Sequence, residues 1–107
     1  MKREDREADI ENHLVRRVKE RGGEVRKVAW IGRPHAPDRV VMLPPRIERA
    51  TEDNASYQTG PALIWVELKA PGKKARPGQL REHARMRKLG QEVFVVDSRE
   101  GVDRLFG

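Results

Sequence analysis

A chain of 107 residues, of which 37% are charged and 5% aromatic, is long enough for one domain with a small core (residues 1–107) and too short for two. Lysine and arginine outnumber aspartate and glutamate by 23 to 17, which favours a polyanionic partner, nucleic acid before a membrane surface. Cysteine is absent, no apolar run approaches membrane-spanning length, and Met1 to Ile10 holds no apolar signal region. These features exclude a disulfide framework and a thiolate metal site, and we expect a soluble intracellular protein.

The first predicted element is a helix from about Asp5 to Arg21, which Gly22-Gly23 ends. Its apolar residues recur at helical spacing: Ile10, Leu14, Val15 and Val18. Glu11 falls on the same stripe, where a carboxylate is costly unless it is paired or binds a metal. Glu7, one turn earlier, lies close to the same line. A solvated face of a charged helix explains both glutamates equally well.

The next elements are predicted to be strands. Glu24 to Ile31 alternates imperfectly, a turn-rich loop covers residues 32–37, and Arg39 to Leu43 forms a short strand directly after Asp38. Pro44 to Pro61 is then a polar connection of about 18 residues, longer than is usual in compact domains, so we expect it to be mobile, functional or partly ordered.

The second half predicts a strand, a basic loop, a helix and a last strand, followed by a tail that holds one helical turn. These cover Leu63 to Lys69, Pro71 to Gly78, Gln79 to Leu89 with a stop at Gly90, Val93 to Val96, and the residues from Asp97. The order helix, three strands, helix, strand predicts an α/β fold with helices packed against a sheet.

The strand that contains Glu67 and Lys69 carries a candidate catalytic site. Residues two apart in a strand project to one face, so these two side chains stand together, while the apolar residues point to the core: Ile64, Val66 and Leu68. If Asp38 meets them in space, two carboxylates can hold a divalent cation beside one positive charge. The alternative is an exposed Glu-x-Lys pair and an aspartate that ends a proline-initiated turn.

This set of groups suits phosphodiester hydrolysis, which needs an activated water and neutralisation of charge on the phosphate. Mg²⁺ prefers oxygen ligands and keeps several waters, so two or three carboxylates suffice. The candidates are Asp38, Glu67 and Glu11. Lys69 then stabilises the attacking water or the transition state. Gln79, at the start of the second helix, can contact a phosphate or orient a water, or is an ordinary first-turn residue.

A strongly basic segment follows the candidate site. Between Lys69 and Lys88 there are eight cations against one anion, Glu82. A solvated helix face usually mixes its charges, whereas a loop and helix this basic can follow a phosphate backbone and bind it in a salt-dependent way. Trp30 and Trp65 are expected in the core, and the three histidines show no metal-ligand spacing.

Nearly the whole chain carries one further pattern in a single order: Glu11, Gly22-Gly23, Lys27, Pro37-Asp38-Arg39, Val66 to Lys74, Gln79 and Gly90. This pattern resembles the VRR-NUC domain, a branch of the PD-(D/E)xK nuclease superfamily, and most of all its short stand-alone bacteriophage and bacterial members.

The resemblance implies a restriction-endonuclease-like core of αβββαβ order, with a mixed sheet flanked by helices, and an endonuclease that depends on Mg²⁺ or Mn²⁺. In the family's pattern Asp38 and Glu67 are metal ligands together with the backbone carbonyl of Leu68. Lys69 is the catalytic lysine and Gln79 belongs to the extended motif. The spacing to the glycine pair favours Glu11 over Glu7 as the glutamate of the first helix.

The resemblance also implies a homodimer that acts on branched DNA, such as Holliday junctions or flaps, in the cytoplasm of a bacterial host if a phage encodes it. The residues expected to contact DNA are Lys27, Lys73, Lys74, Arg76, Arg81 and Arg85. One alternative is a non-catalytic nucleic-acid-binding module on the same fold. Another is a structural protein in which the acidic segment Glu48 to Asp53 docks a partner.

Overall fold

The computed structural model describes residues 6–49, 56–59 and 63–106, and within them the chain forms three helices and six strands. The elements in chain order are α1 (Glu7–Glu20), β1 (Glu24–Lys27), β2 (Arg39–Met42), β3 (Arg46–Arg49), β4 (Ser56–Thr59), β5 (Leu63–Leu68), α2 (Pro77–Lys88), β6 (Val93–Val96) and α3 (Arg99–Arg104). None of these helices combines the length and the apolar character needed to cross a membrane.

A mixed four-stranded sheet positions the candidate site. Its strand order is β1-β2-β5-β6, with antiparallel pairing from β1 to β5 and parallel pairing between β5 and β6. Parallel neighbours require a crossover, and α2 provides it. The α/β class and the order of elements predicted from the sequence are therefore confirmed, with α3 as the helical end of the chain.

The core lies on the face of the sheet that α1 covers. The stripe residues Ile10, Leu14 and Val18 are fully buried, and so are their partners on the sheet: Val41, Ile64, Val66 and Leu68 are at most 4% exposed. The predicted alternation along β5 is confirmed, because its even-numbered residues enter this core. The odd-numbered residue Glu67 therefore lies on the opposite face.

The contact between α1 and α3 closes the far side of this core. His13 Nε2 lies 2.8 Å from Asp103 Oδ1, and Arg17 donates to the same oxygen at 2.9 Å. His13 thus has a structural partner, in line with its lack of metal-ligand spacing.

The predicted end of the first strand was wrong. The strand that begins at Glu24 ends at Lys27 and not at Ile31, because the ladder closes with the Val28 amide on the Asp38 carbonyl at 2.9 Å. Beyond that bond the chain turns away, and Gly32 adopts a φ of +73° that glycine tolerates best.

The long connection from Pro44 to Pro61 is paired in the part that the structure describes. Its residues 46–49 and 56–59 form a separate antiparallel ribbon, with Arg46 opposite Thr59. Residues 50–55 and 60–62 lie outside the described part of the chain, and they include most of the acidic segment Glu48 to Asp53.

A single glycine allows α1 and β2 to approach each other. A Cβ placed on Gly23 would collide with the carbonyl oxygen of Met42 and lie 3.0 Å from side-chain carbons of Val18 and Leu43.

We expect Gly23→Ala to lower the free energy of unfolding by about 2 kcal/mol or more, because the backbone cannot move aside as a side chain can. Urea denaturation measures this loss. Gly32→Ala is the control. A Cβ on Gly32 has no atom within 4 Å, so this variant should lose only about 1 kcal/mol, from the strain of a positive φ on alanine. Equal losses in the two variants would contradict the packing argument.

Candidate active site

The structure brings Asp38 and Glu67 together at one end of the sheet. The pairing of Arg39 with Val66 sets the preceding residue on β2 beside the following residue on β5. The Leu68 amide donates to Asp38 Oδ1 at 3.4 Å, and the negative charge of Asp38 lies close enough to raise the pKa of Glu67. Two carboxyl groups distant in sequence therefore meet on the face of the sheet opposite the core.

The turn that presents Asp38 is anchored by tryptophan. Trp30 Nε1 donates to the Pro37 carbonyl at 2.8 Å, and its ring packs on Trp65 with centroids 5.1 Å apart and planes tilted by 50°. Both rings are half-buried, so they lie at the edge of the packed interior and not at its centre. Ala36 and Pro37, the last two loop residues before Asp38, are themselves buried. Trp30 thus fixes the entry of the chain into the site.

Glu67 is a buried acid with an unusual proton affinity. Its side chain is 5% exposed, and burial, followed by the negative charge of Asp38, raises its pKa from 4.5 to about 7. The Lys69 ammonium acts in the opposite direction, so it lies close enough to be felt. A carboxylate held against another carboxylate in a buried position favours either a proton or a cation.

This shift predicts how the stability of the metal-free protein depends on pH. The folded pKa of Glu67 lies above the unfolded value, so the folded state binds more protons between pH 4.5 and about 7 and loses stability as pH rises through that window. Glu67→Gln should remove this loss and favour the variant at pH 8 by on the order of 2 kcal/mol relative to pH 5, since water screens part of the interaction. Urea denaturation in EDTA at the two pH values measures it. Parallel pH profiles for the two proteins would contradict the assignment.

Gln79 reaches the acidic pair from α2. Its Nε2 donates to Glu67 Oε1 at 3.0 Å, while its own Oε1 accepts from the Arg76 amide at 2.9 Å. The second bond is half of a capping box at the start of the helix. Gln79 is therefore both a capping residue of α2 and a residue of the candidate site. The amide is held by backbone on one side and directed at Glu67 on the other.

Arg39 lies at this site, although no role for it was predicted from the sequence. It is 4% exposed, and its Nη2 lies 3.0 Å from Glu11 Oε1 while its Nη1 lies 3.1 Å from Asp38 Oδ2. The same Nη1 donates to the Asp38 carbonyl at 3.1 Å. A charged residue within the apolar run of β2, directly after an aspartate, was the available signal. The guanidinium ties α1 to the turn and orients Asp38.

The two glutamates of α1 are placed differently. Glu11 is the partner of Arg39, which explains a carboxylate on the inward stripe of the helix. Glu7 is exposed, yet its charge contributes, as the smallest of the causes, to the raised pKa of Glu67. The assignment of Glu11 as a metal ligand therefore stays a prediction, with Glu7 the glutamate whose charge is felt at Glu67.

The oxygen atoms available here suit a divalent cation that prefers oxygen ligands and takes only a few of them from the protein. Within residues 6–49, 56–59 and 63–106, no group of three or more histidine, aspartate and glutamate side chains converges as a metal site. Asp38 and Glu67 form a two-carboxylate pair, and the Leu68 carbonyl is the adjacent backbone oxygen. The unfavourable contact between like charges is what a cation relieves, and Mg²⁺ completes its shell with water.

The predicted DNA-contacting residues are all exposed. They are Lys27 on β1, the loop residues Lys73, Lys74 and Arg76, and the α2 residues Arg81 and Arg85. The loop and helix follow β5 directly, so their positive charges continue from the end of the sheet at which Asp38 and Glu67 meet.

A mixed sheet of this order, with an aspartate before β2 and Glu-x-Lys at the end of β5, defines a restriction-endonuclease-like fold. A solved structure described as a VRR_NUC domain matches it with a TM-score of 0.71 and 37% identity, over 92% of this chain and 91% of that one. The chain is also 43% identical over 95 residues to "Putative nuclease p44" of Acyrthosiphon pisum secondary endosymbiont phage 1, which covers 89% of this chain and 86% of the relative. No protein-family model matches the sequence. The chain belongs to the VRR-NUC family.

Proposed function

We propose that this protein is a metal-dependent DNA endonuclease whose reaction centre is built from Asp38, Glu67, Lys69 and Gln79. The observation that carries the proposal is that the pairing of β2 with β5 sets Asp38 beside Glu67, close to Lys69 and next to an exposed basic loop and helix. The likeness to a phage nuclease over most of the chain supports the same chemistry.

Asp38, Glu67 and the Leu68 carbonyl are the groups that would hold Mg²⁺ or Mn²⁺, with a glutamate of α1 as a further ligand. When bound, such an ion lowers the pKa of a water molecule and neutralises charge on the phosphate. The protonation state of Glu67 decides whether the protein can bind this ion. Deprotonated Glu67 is the form that can bind a cation, so its proton must leave first, and its pKa of about 7 keeps that step within reach near neutral pH.

Lys69 and Gln79 complete the centre from two sides. Lys69 follows β5 directly, and its ammonium is close enough to act on the pKa of Glu67. From there it can stabilise an anionic nucleophile or the charge that develops on the phosphoryl oxygens. Gln79 holds Glu67 in one orientation through its amide. Arg39 does the same for Asp38, so both acidic groups are positioned before a substrate arrives.

The substrate proposed is branched or flapped DNA, including the Holliday junction, cut by in-line attack of water to leave a 5′-phosphate. A homodimer is part of the proposal, because one small site cannot cut two strands symmetrically. The resemblance to short stand-alone members of the family supports both statements, and the formal charge of +6 suits a polyanionic substrate.

A cleavage panel tests the proposal. Purified protein is incubated with four-way junction, flap, splayed and linear duplex DNA of shared sequence, each with Mg²⁺, with Mn²⁺ and with EDTA. Cleavage that requires a metal and favours branched DNA is the expected result, and size-exclusion chromatography with light scattering reports the dimer. If no substrate is cut under any condition while DNA is still bound, the protein is instead the non-catalytic binding module.

A further inference from the structure

A basic cavity adjoins the candidate active site. It has a volume of about 190 Å³ and lies between the loop that precedes Asp38 and the first two turns of α2. Its walls include Arg33, His35, Gly78, Arg81, Glu82 and Arg85. We refer to it as the Glu82 cavity.

The wall of the cavity contains the one anion of the basic segment. Glu82 is 8% exposed, although Arg81 and Arg85 on either side of it are exposed. Its Oε1 accepts from Arg85 Nε at 3.1 Å and from Arg33 Nη1 at 3.5 Å. A buried carboxylate therefore tethers two half-exposed guanidinium groups from separate segments of the chain.

The charges of the cavity remain positive after this pairing. Three guanidinium groups line it, from Arg33, Arg81 and Arg85, against the single carboxylate of Glu82. Guanidinium groups are donors without acceptors, so an occupant must supply several acceptor oxygens. A phosphate does so, and arginine binds it through paired hydrogen bonds.

The cavity shares its walls with the candidate active site. The ring of His35 packs so closely on Gly78 that a Cβ at this glycine would lie 2.8 Å from His35 Nε2. Gly78 directly precedes Gln79, whose amide contacts Glu67, and the loop that carries His35 leads into Asp38. An occupant of the cavity is thus a close neighbour of a phosphate held at the reaction centre.

We propose that the Glu82 cavity binds an internucleotide phosphate of the DNA, adjacent to the scissile one, on arginines that Glu82 holds in place. The choice of DNA rests on the proposed function. Binding here sets the register of the strand in the centre, since the cavity and the acidic pair flank the same start of α2. Arg33 contributes from outside the basic helix, which is why its tether to Glu82 matters.

Methylphosphonate scanning tests the site by position. A duplex and a four-way junction are prepared with one neutral linkage at each position in turn, and affinity is measured by fluorescence anisotropy in EDTA, so that no cleavage is needed. In the wild type we expect one linkage beside the cleavage position to weaken binding about tenfold, because two or three arginines lose their partner. In Arg33→Gln that penalty should fall to twofold or less.

Lys88→Gln is the matched control, since it removes one exposed positive charge from the far end of the same helix. It should weaken binding to every substrate equally and leave the position-specific penalty unchanged. Wild-type protein without any position-specific penalty, or Arg33→Gln with an undiminished one, would overturn the proposal. Cleavage could still be observed in that case, so the two proposals fail separately.

Glu82→Gln distinguishes two roles of Glu82, because they predict opposite changes in DNA affinity. If Glu82 were only a repulsive charge, the variant would bind DNA more tightly. As an organising group, its loss should weaken binding threefold or more, because a neutral amide holds two guanidinium groups less firmly. Circular dichroism and thermal unfolding confirm that the variant is folded, and Glu82→Asp serves as a second variant if it is not. Binding equal to or tighter than wild type contradicts the tether.

Inorganic phosphate distinguishes the source of the phosphate. At constant ionic strength, about 10 mM phosphate should leave the position-specific penalty intact, because a free anion lacks the neighbouring contacts of the strand. A wild-type protein that shows no position-specific penalty on DNA, yet binds phosphate at that concentration through Arg33, would assign the cavity to free phosphate and reject the proposed DNA contact.

Discussion

Asp38→Asn and Lys69→Met are each expected to reduce DNA cleavage at least about 100-fold and to leave DNA affinity within about twofold of wild type. Asn keeps an oxygen that can accept from the Leu68 amide but lacks the charge that would hold a cation. Met keeps the length of lysine without its ammonium. Single-turnover cleavage with saturating protein, and anisotropy in EDTA, measure the two quantities independently.

Lys19→Met is the control for the lysine variant. Lys19 is exposed on α1 and takes no part in the site, so its loss should leave the cleavage rate unchanged. Cleavage at the wild-type rate by Lys69→Met would show that Lys69 does not contribute to catalysis. A folded Asp38→Asn protein that still cuts DNA at the wild-type rate would show that the Asp38–Glu67 pair is not the reaction centre.

Loss of Arg39 is expected to have the largest effect on stability at the site. Arg39→Leu leaves Glu11 and Asp38 without their shared partner, and because both carboxylates stay partly exposed to water, the free energy of unfolding should fall by about 2 kcal/mol. Urea denaturation measures the loss. Glu11→Gln, which keeps one arm of the network as a hydrogen bond, should cost clearly less.

Arg39→Lys separates positioning from folding. Lysine keeps the positive charge but cannot reach two carboxylates with a planar fork. We expect a folded protein with unchanged DNA affinity, a cleavage rate lower by about tenfold, and a higher metal concentration at half-maximal rate, because Asp38 is no longer held. A lysine variant equal to wild type in all three measurements would mean that Arg39 only fills space.

The sequence allowed the main elements to be predicted because their signals are local. The spacing of Ile10, Leu14 and Val18 predicts a helix with one buried face, and alternation predicts which face of β5 enters the core. The boundaries of β6 were predicted correctly for the same reason. The β3–β4 ribbon was not predicted as strands, because a ribbon that pairs with itself outside the main sheet needs no apolar alternation.

The candidate site divides in the same way. Glu67 and Lys69 share a face by strand geometry, and the motifs that resemble VRR-NUC pointed to Asp38 as their neighbour. The sequence marks Arg39 as a charge at the start of an apolar strand, but it does not show that Arg39 joins Asp38 to Glu11. The pairing of β2 with β5 and the packing of α1 bring its guanidinium to both carboxylates.

By itself, then, the sequence determined the class of fold, the face of β5 that carries the acidic chemistry and the basic character of the segment that follows. These follow from periodicity and charge, which each residue carries with it along the chain. Only the tertiary structure decided what surrounds each charge: that Glu67 is buried against Asp38, that Glu11 binds Arg39, and that Glu82 tethers two arginines. Such contacts join residues far apart in sequence, and the energy of a charge depends on the partners and the water that folding leaves around it.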